Sequence, residues 1–410
     1  MPVRGIIGPS SERAILSSSL RDATPETLLE RLSLAGLRGR GGGWFEAARK
    51  WKAVRAEGGR PVVIANGAEG EPGSYKDRFV MQRQAADVVE GLSLAARATG
   101  AREAIVFLKA SFDAPAKALE AALRRAAPDG LEVSIRRGDD GYITGEETAV
   151  LESLEGRRPW PRAKPPLPSA LGLEGRPTLV QNVETLARVP RAIAEAGGYR
   201  ARETTLVTIW GDVRSPGVRE VALGTPLARV IGEHAGGASE PIGLVFPAGP
   251  AAPPLLPADL DTPLEPGALR EKGSALGTAA ILVVGASACP LAALVSVAAF
   301  YERESCGQCP PCAVGSASLA RLVRGIEADG PRARDLHDLH DVAGFMAGHG
   351  YCAHCRGAAA VATGTLARLA PAVEAHAKGC PWPDKRHPDA YAPGSAERRA
   401  LEAAVAEQLR

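Results

Sequence analysis

The chain has 410 residues, enough for two to four domains at roughly 100–200 residues each. Hydrophobic residues make up 45% and charged residues 23%, which excludes global disorder. Lys+Arg 49 against Asp+Glu 47 lacks the basic excess of a nucleic-acid-coating protein. The opening MPVRGIIGPSSERAIL carries Arg4, Glu12 and Arg13 and no apolar run, so it does not read as a signal peptide. Residues 25–35 have helical apolar spacing and lead into the glycine cluster GLRGRGGGWF at 36–45. Strand-like 61–69, a helix from about Asp77 to Ala98, strand-like 104–110, a helix over about 114–127 and a strand over 131–137 follow. Strands alternating with helices predict an open α/β sheet.

From Gly156 to Pro177 the chain is too rich in proline for regular structure, and loops of that length are more often functional than idle. Residues 204–210, the turn GDVRSPG, then VREVAL and a helix through His234 predict a hairpin plus helix. The Pro/Ala-rich stretch 248–266 reads as a surface excursion. Gly273 to Tyr301 is charge-free and long enough for a bilayer, but Gly285, Ser287 and Pro290 divide it. A β-branched strand, a turn and a helix opened by proline fit better. The stretch to about His376 reads mostly as helix. The tail KGCPWPDKRHPDAYAPGS is turn-rich, and the closing helix after it either docks or hangs free. There is no internal repeat.

Five of the seven cysteines lie between Cys306 and Cys355, which points to a site rather than a disulfide framework, and to a cytosolic chain. Cys306, Cys309 and Cys312 form a CxxCxxC triplet with Cys352 further on; three thiolates cap one face of a cubane and a distant fourth closes it. Zinc is the alternative, since Cys352-x2-Cys355 is itself a CxxC. Haem attachment is excluded, because Pro310, Ala313 and Arg356 stand where histidine would follow. His337, His340 and His349 read as an ordinary helix face and turn, Cys289 as buried, and Cys380 as a free thiol. The loop Gly39-Arg40-Gly41-Gly42-Gly43 brings backbone N–H groups within reach of a phosphate, although a bare flexible loop has the same composition. NGAEGEPGSYKDR (66–78) and GYITGEETAVLESLEG (141–156) hold carboxylates that either tune a cofactor or simply cap helices.

Together GLRGRGG, NGAEGEPGSYKDR, GYITGEETAVLESLEGRRPWPRAKPPLPSALGLEGRPTLVQNVETLARVP and ESCGQCPPC resemble the NADH-binding flavoprotein subunit of respiratory complex I. They equally resemble the diaphorase subunits of NAD-dependent hydrogenases and formate dehydrogenases. The likeness runs in order from about residue 24 to about 376. It implies an α/β Rossmann-like FMN/NADH domain (1–200), a β-grasp, SLBB-type domain (201–285), an all-α helical bundle with one 4Fe–4S cluster (286–378), and a tail (379–410). It implies a hydride passed from NADH to FMN, then single electrons to the cluster and to a partner, a thioredoxin-like 2Fe–2S protein or a ferredoxin. It also implies a cytoplasmic chain, peripheral to a membrane through its complex.

By the same resemblance Gly39, Arg40, Gly41 and Gly42 face FMN, Phe45 stacks on NADH, and Lys50 reaches flavin and nucleotide. Asn66, Glu71, Tyr142, Gly145, Glu146, Lys164, Asn182 and Thr185 line the cofactors. Glu69 and Glu147 are the candidate catalytic carboxylates, and Cys306, Cys309, Cys312 and Cys352 the cluster ligands. Departures from the family's pattern fall in the flavin pocket. Trp44 stands for a glycine, Glu46, Ala47 and Ala48 for proline, threonine and glycine, Ala68 for an aspartate, and Gln181 for an asparagine. Around the fourth ligand CAHC adds His354 and Cys355. The indole at 44 either fills the flavin's space or swings out into a nucleotide platform. In the first case the chain is an iron–sulfur relay that has lost FMN.

Overall fold

The computed structural model describes residues 23–126, 130–382 and 392–410. The opening stretch read as lacking a signal peptide and the middle of the turn-rich tail lie outside them. The described chain divides into two compact units, the first running to Gly70 and from Tyr75 to Leu206, the second holding Glu71–Ser74 and Val207–Gln408.

In the first unit, α1 (Pro25–Ala35) and α2 (Ala47–Glu57) precede β1 (Val62–Asn66). Then come α3 (Lys76–Arg83), α4 (Ala85–Thr99), β2 (Glu103–Lys109), α5 (Asp113–Arg125), β3 (Glu132–Gly138), α6 (Glu147–Leu154), β4 (Thr178–Asn182) and α7 (Val183–Glu195). Thr24 caps α1 by accepting from the Thr27 amide, Pro25 sits at its first position, and Gly36 closes it in the left-handed region, turning the chain into the glycine loop. Among the described residues four strands form one parallel sheet in the order β3-β2-β1-β4. Ile64 lies opposite both Ile105 and Val180. A parallel sheet covered on both faces needs apolar residues at consecutive positions, which is why Val62–Ala65 and Ala104–Leu108 are unbroken runs. Val62, Ile64, Ile105, Phe107 and Val180 form a core with Val150 and Leu151 of α6. The strand order reverses between β1 and β4, the place where open α/β sheets bind ligands beyond their strand C-termini.

The helix expected over 77–98 is two helices. Gln84, at φ −133° and ψ 31°, breaks it between α3 and α4 without a proline or glycine to mark the place. Elsewhere the expected elements match within a few residues.

The second unit carries most of β5 (Thr204–Gly211), then β6 (Gly217–Ala222), α8 (Leu227–His234), β7 (Ile242–Phe246), α9 (Pro266–Glu271) and β8 (Ala280–Gly285). Its strands are ordered β6-β5-β8-β7, with β8 parallel to β5 and antiparallel to β7. The helices α10 (Pro290–Arg303), α11 (Pro310–Asp329), α12 (Ala333–His349), α13 (Ala353–Arg368), α14 (Ala370–His376) and α15 (Ala396–Leu409) follow. The charge-free run is β8, a turn, and α10 opened by Pro290. Among the described residues no helix is long and apolar enough to cross a membrane.

The Pro/Ala-rich stretch is a correction. Ala248, Pro250 and Ala252 through Leu255 are buried, Leu255 pairs with Val245, and the Tyr301 hydroxyl donates to the Pro250 carbonyl. Small side chains with satisfied backbone groups fill this space. The closing helix docks: Leu401 and Val405 are buried, and the Gln408 amide exchanges two hydrogen bonds with the backbone of Val218 on edge strand β6.

Candidate active site and metal centre

In the first unit a cavity of about 540 Å³ opens where β1 and β4 end. Gly39, Gly41 and Gly43 form one wall, and Asn66 and Asn182, the last residues of the two strands, form another. The glycine loop is closed at its base by the Gly39 amide donating to Phe45 O and the Ala47 amide donating to Leu37 O. Three helices begin on this wall, α2 after the loop, α6 at Glu147 and α7 behind Asn182. Glu46 makes no side-chain cap on α2, so the N-terminus of that helix stands at the cavity wall without a carboxylate cap.

The charged groups on the wall are organised around Glu147. Its carboxylate accepts from Lys50 Nζ at 2.7 Å and Lys164 Nζ at 2.8 Å, and Lys164 also reaches Glu146 at 2.7 Å. Burial pushes the Glu147 pKa up, but the two ammonium groups outweigh it and hold the carboxyl at about 2. Glu147 is thus the counter-charge of both lysines on the cavity wall. Glu146 accepts from the Thr148 and Ala149 amides and caps α6. Phe45 is half exposed at the rim, with the Arg49 guanidinium 5.1 Å from its ring centre. Arg49 was not singled out in the sequence; only its place one residue before Lys50 on α2 could have signalled it.

Asn66 and Gly145 form a tight corner. Asn66 donates to Gly145 O at 2.9 Å, and a Cβ at position 145 would stand 2.6 Å from Ala68 O. Only glycine allows that approach.

Several expected residues stand behind the cavity rather than on it. Arg40 is buried; its amide donates to Thr185 Oγ1 at 2.8 Å and its guanidinium to Glu203 at 2.7 Å. Thr185 therefore positions the loop backbone, and Gly42, at φ 102°, turns it. Glu69, the other candidate catalytic carboxylate, is not among the residues lining the cavity. It is buried, pairs with Arg78 at 3.0 Å and accepts from the Asp77 and Arg78 amides at the start of α3. Tyr142 precedes the Gly145 corner without lining the cavity, and Glu71 belongs to the second unit. Ala68 lies in the apolar core with Val62 and Phe107, whereas Gln181 lines the cavity and accepts from Trp51 Nε1 at 3.2 Å.

Trp44 lies in the left-handed region that favours glycine, with φ 53°. Its ring is nine-tenths buried and stacked on Arg40, whose Cζ is 4.4 Å from the ring centre, with Arg38 at 5.4 Å. The indole forms part of the wall and leaves the cavity open. Its volume lies within the range of about 300–1,000 Å³ usual for small-molecule sites, and its glycines, lysines and strand-end amides fit a flavin mononucleotide.

In the second unit, Cys309 is the N-cap of α11 and Cys352 the N-cap of α13, so two helix N-termini face thiols. Cys312 is buried in the first turn of α11, and Cys306 is half-buried. A hydrogen bond from Cys355, aided by Ser305 and Cys309 and opposed by burial, brings the Cys312 thiol down to about 6. Burial pushes Cys306 up. Cys355 is fully buried beside this ring of thiols, its Sγ 3.3 Å from Met346 O. His354 is turned away, its Nε2 donating to Tyr301 O at 3.0 Å. Four cysteines carried at or just ahead of the N-termini of α11 and α13 are a donor set that fits a sulfur-ligated iron cluster. His337 pairs with Asp341 on the exposed face of α12, as expected, while His349, expected in a turn, is the last residue of α12 and bonds to the Phe345 carbonyl.

Residues 32–191 match the family described as the Nuo51 FMN-binding domain, and residues 292–376 the NADH-ubiquinone oxidoreductase-F iron–sulfur binding region. The chain is 35% identical over 366 residues to the F 2 subunit of NADH-quinone oxidoreductase from Rhizobium meliloti (strain 1021), covering 84% of this chain and 87% of that one. It is 33% identical over 382 residues to the F subunit of NADH-quinone oxidoreductase from Streptomyces coelicolor (strain ATCC BAA-471 / A3(2) / M145), covering 87% and 85%. Among solved structures it superposes on a chain of an air-oxidized NAD+-reducing [NiFe]-hydrogenase with a TM-score of 0.79 and 31% identity, covering 90% of this chain and 67% of that one.

Proposed function

The chain belongs to the family of NADH-quinone oxidoreductase F subunits, and from that premise we propose that it is the electron-input subunit of a redox assembly, taking electrons from NADH. FMN and a 4Fe–4S cluster, when bound, supply the conversion between two-electron and one-electron transfer. The observation that carries the reading is the glycine-walled cavity at the strand-order reversal, where loop amides and the α2 N-terminus converge with Lys50 and Lys164.

The work of this chain's own residues follows from their placement. Gly39 and Gly41 bring backbone to the cofactor, and Lys50, Lys164 and Arg49 attract the anionic dinucleotide. Glu147 fixes the two lysines and keeps them from repelling each other. Phe45 offers an exposed ring for the NADH adenine. Asn66 and Asn182 hold the strand-end corners rigid through Gly145 and the α7 amides. Cys306, Cys309, Cys312 and Cys352 would hold the cluster. Residues 201–285, with β8 parallel to β5 in the middle of a four-stranded sheet and α8 beside it, support a β-grasp assignment. We place the helical cluster domain at 286–378. The partner is another redox subunit, a thioredoxin-like 2Fe–2S protein or a ferredoxin, and the setting is cytoplasmic, peripheral to a membrane through the complex. The open cavity beside Trp44 speaks against the relay reading.

Anaerobic titration of the reconstituted protein with NADH is expected to bleach its flavin absorbance and to drive reduction of an artificial acceptor. A protein that neither retains FMN nor reduces the acceptor would sink the proposal.

A further inference from the structure

Cys289, His376 and Cys380 lie away from the cluster cysteines in sequence, yet their ligand atoms all fall within 4.8 Å of one another. Cys289 ends the turn after β8 and caps α10, accepting from the Ala292 amide at 3.4 Å. His376 closes α14, and Cys380 follows it by one turn of chain. Cys289 and His376 are buried and Cys380 is half-buried. The sulfurs of Cys289 and Cys380 are 3.9 Å apart, and His376 Nε2 is 3.4 Å from Cys289 Sγ.

These separations are those of a coordination polyhedron. Zinc–sulfur bonds of about 2.3 Å and zinc–nitrogen bonds of about 2.0–2.1 Å at tetrahedral angles place two sulfurs roughly 3.8 Å apart and sulfur and nitrogen roughly 3.6 Å apart. A disulfide requires sulfurs at about 2.0 Å, so the thiols stand open rather than joined. The imidazole is oriented for the task. His376 Nδ1 faces the Ala372 carbonyl at 2.9 Å, and since a carbonyl only accepts, Nδ1 carries the proton and the Nε2 lone pair points to Cys289. A ligating histidine is commonly fixed in this way by a carbonyl on its other nitrogen. Trp382 stacks on the ring at 5.7 Å and walls that side. The adjoining cavity of about 390 Å³, bounded by Ala288, Pro290, Ala372 and Trp382, has room for a water at a fourth position.

We propose that Cys289, His376 and Cys380 form a second metal site, a Cys2His set for Zn2+ that ties the start of the tail to the first turn of α10. Two thiolates and one neutral imidazole are the donor set that zinc takes.

The test uses the full-length, cluster-reconstituted protein, reduced with a phosphine and loaded anaerobically with Zn2+ alone. Metal analysis after desalting is expected to find one zinc per chain besides the cluster iron, and X-ray absorption to find sulfur at about 2.3 Å and nitrogen at about 2.0–2.1 Å around it. Cys380→Ser should weaken zinc binding by at least about tenfold against a chromogenic chelator with iron unchanged, and Cys309→Ser should lose iron while keeping zinc. Cys289→Ser repeats the test at a buried position; if it fails to fold, Cys380→Ser, at the half-buried tail position, stands on its own. No zinc retained by the reduced wild type, an oxygen-only shell, or affinity unchanged in Cys380→Ser overturns the proposal. So does a Cys289–Cys380 disulfide whose reduced form takes no zinc.

Discussion

Trp44 occupies a backbone conformation that favours glycine, with φ 53°. An L-residue in the left-handed region costs roughly 1–2 kcal/mol, and stacking a cation on an indole returns about 0.5–2 kcal/mol. With Arg40 and Arg38 over its ring, Trp44 holds a near balance. Trp44→Ala loses the stack and keeps the strain, whereas Trp44→Gly loses the stack and releases the strain. Urea unfolding should therefore find the glycine variant more stable than the alanine variant by about 1 kcal/mol. Equal stabilities would mean that the positive φ carries no cost here. Glu147 gives a pH signature at the same scale. Its carboxyl drops from an ordinary 4.5 to about 2 in the fold, so the stability it contributes is complete above about pH 4.5 and is lost as pH falls towards 2. Allowing for its partial exposure, the contribution is about 1–2 kcal/mol. Wild type should exceed Glu147→Gln in urea midpoint at pH 6, and the gap should narrow by pH 3. A gap constant with pH would show that the lysines are not held by this charge.

At the scale of elements, α4 lies so close to α7 that Gly91 has no room for a side chain, a Cβ there falling 1.9 Å from Leu186 O. The atom in the way is backbone, so relief requires the helices to part. Gly91→Ala is expected to cost about 1–3 kcal/mol and to loosen Asn182, which caps α7 on the cavity wall. Lower thermal stability together with weaker FMN retention would carry that reading, and a neutral substitution would refute it. The same crossing shows what a sequence reveals of its elements. The parallel strands were legible because burial on both faces leaves unbroken runs such as AIVFL, and Pro290 marked the start of α10 through its missing N–H. The break at Gln84 was not legible, since it comes from how α3 and α4 pack. Nor was the burial of 248–255, where alanine and proline serve as filler although composition suggests a surface loop. Among site residues the glycine loop and the cysteines stood out by motif chemistry, whereas Lys50 and Lys164 were named only through the resemblance to the family. That Glu69 and Arg40 stand off the cavity lining was not legible, because a conspicuous charge beside a glycine motif looks the same in sequence whether it faces a ligand or braces a loop. Arg38, Arg40 and Glu203, far apart in the chain, meet only once it has folded.

For the whole molecule, the two candidate cofactor sites are built from separate parts of the chain. The residues around the glycine-walled cavity all belong to the first compact unit, whereas Cys306, Cys309, Cys312, Cys352 and Cys355 all belong to the second. A ligand lost from one site therefore removes no wall from the other. Cys352 is the informative position, because of the four proposed ligands it alone comes from the α13 N-terminus while the triplet sits ahead of and within α11. Cys352→Ser should strip iron and the absorbance of the cluster, and it should lower the melting temperature, since metal binding to the folded state is itself folding free energy. The flavin should remain and still be bleached by NADH. A Cys352→Ser, Cys355→Ala pair separates two roles for the neighbouring thiol. If Cys355 moves in as a substitute ligand, the single variant keeps part of its iron and the double variant loses it. If Cys355 acts through its hydrogen bond to Cys312, both variants are equally iron-free. Loss of FMN from Cys352→Ser in step with its iron would show that the two sites are not independently built.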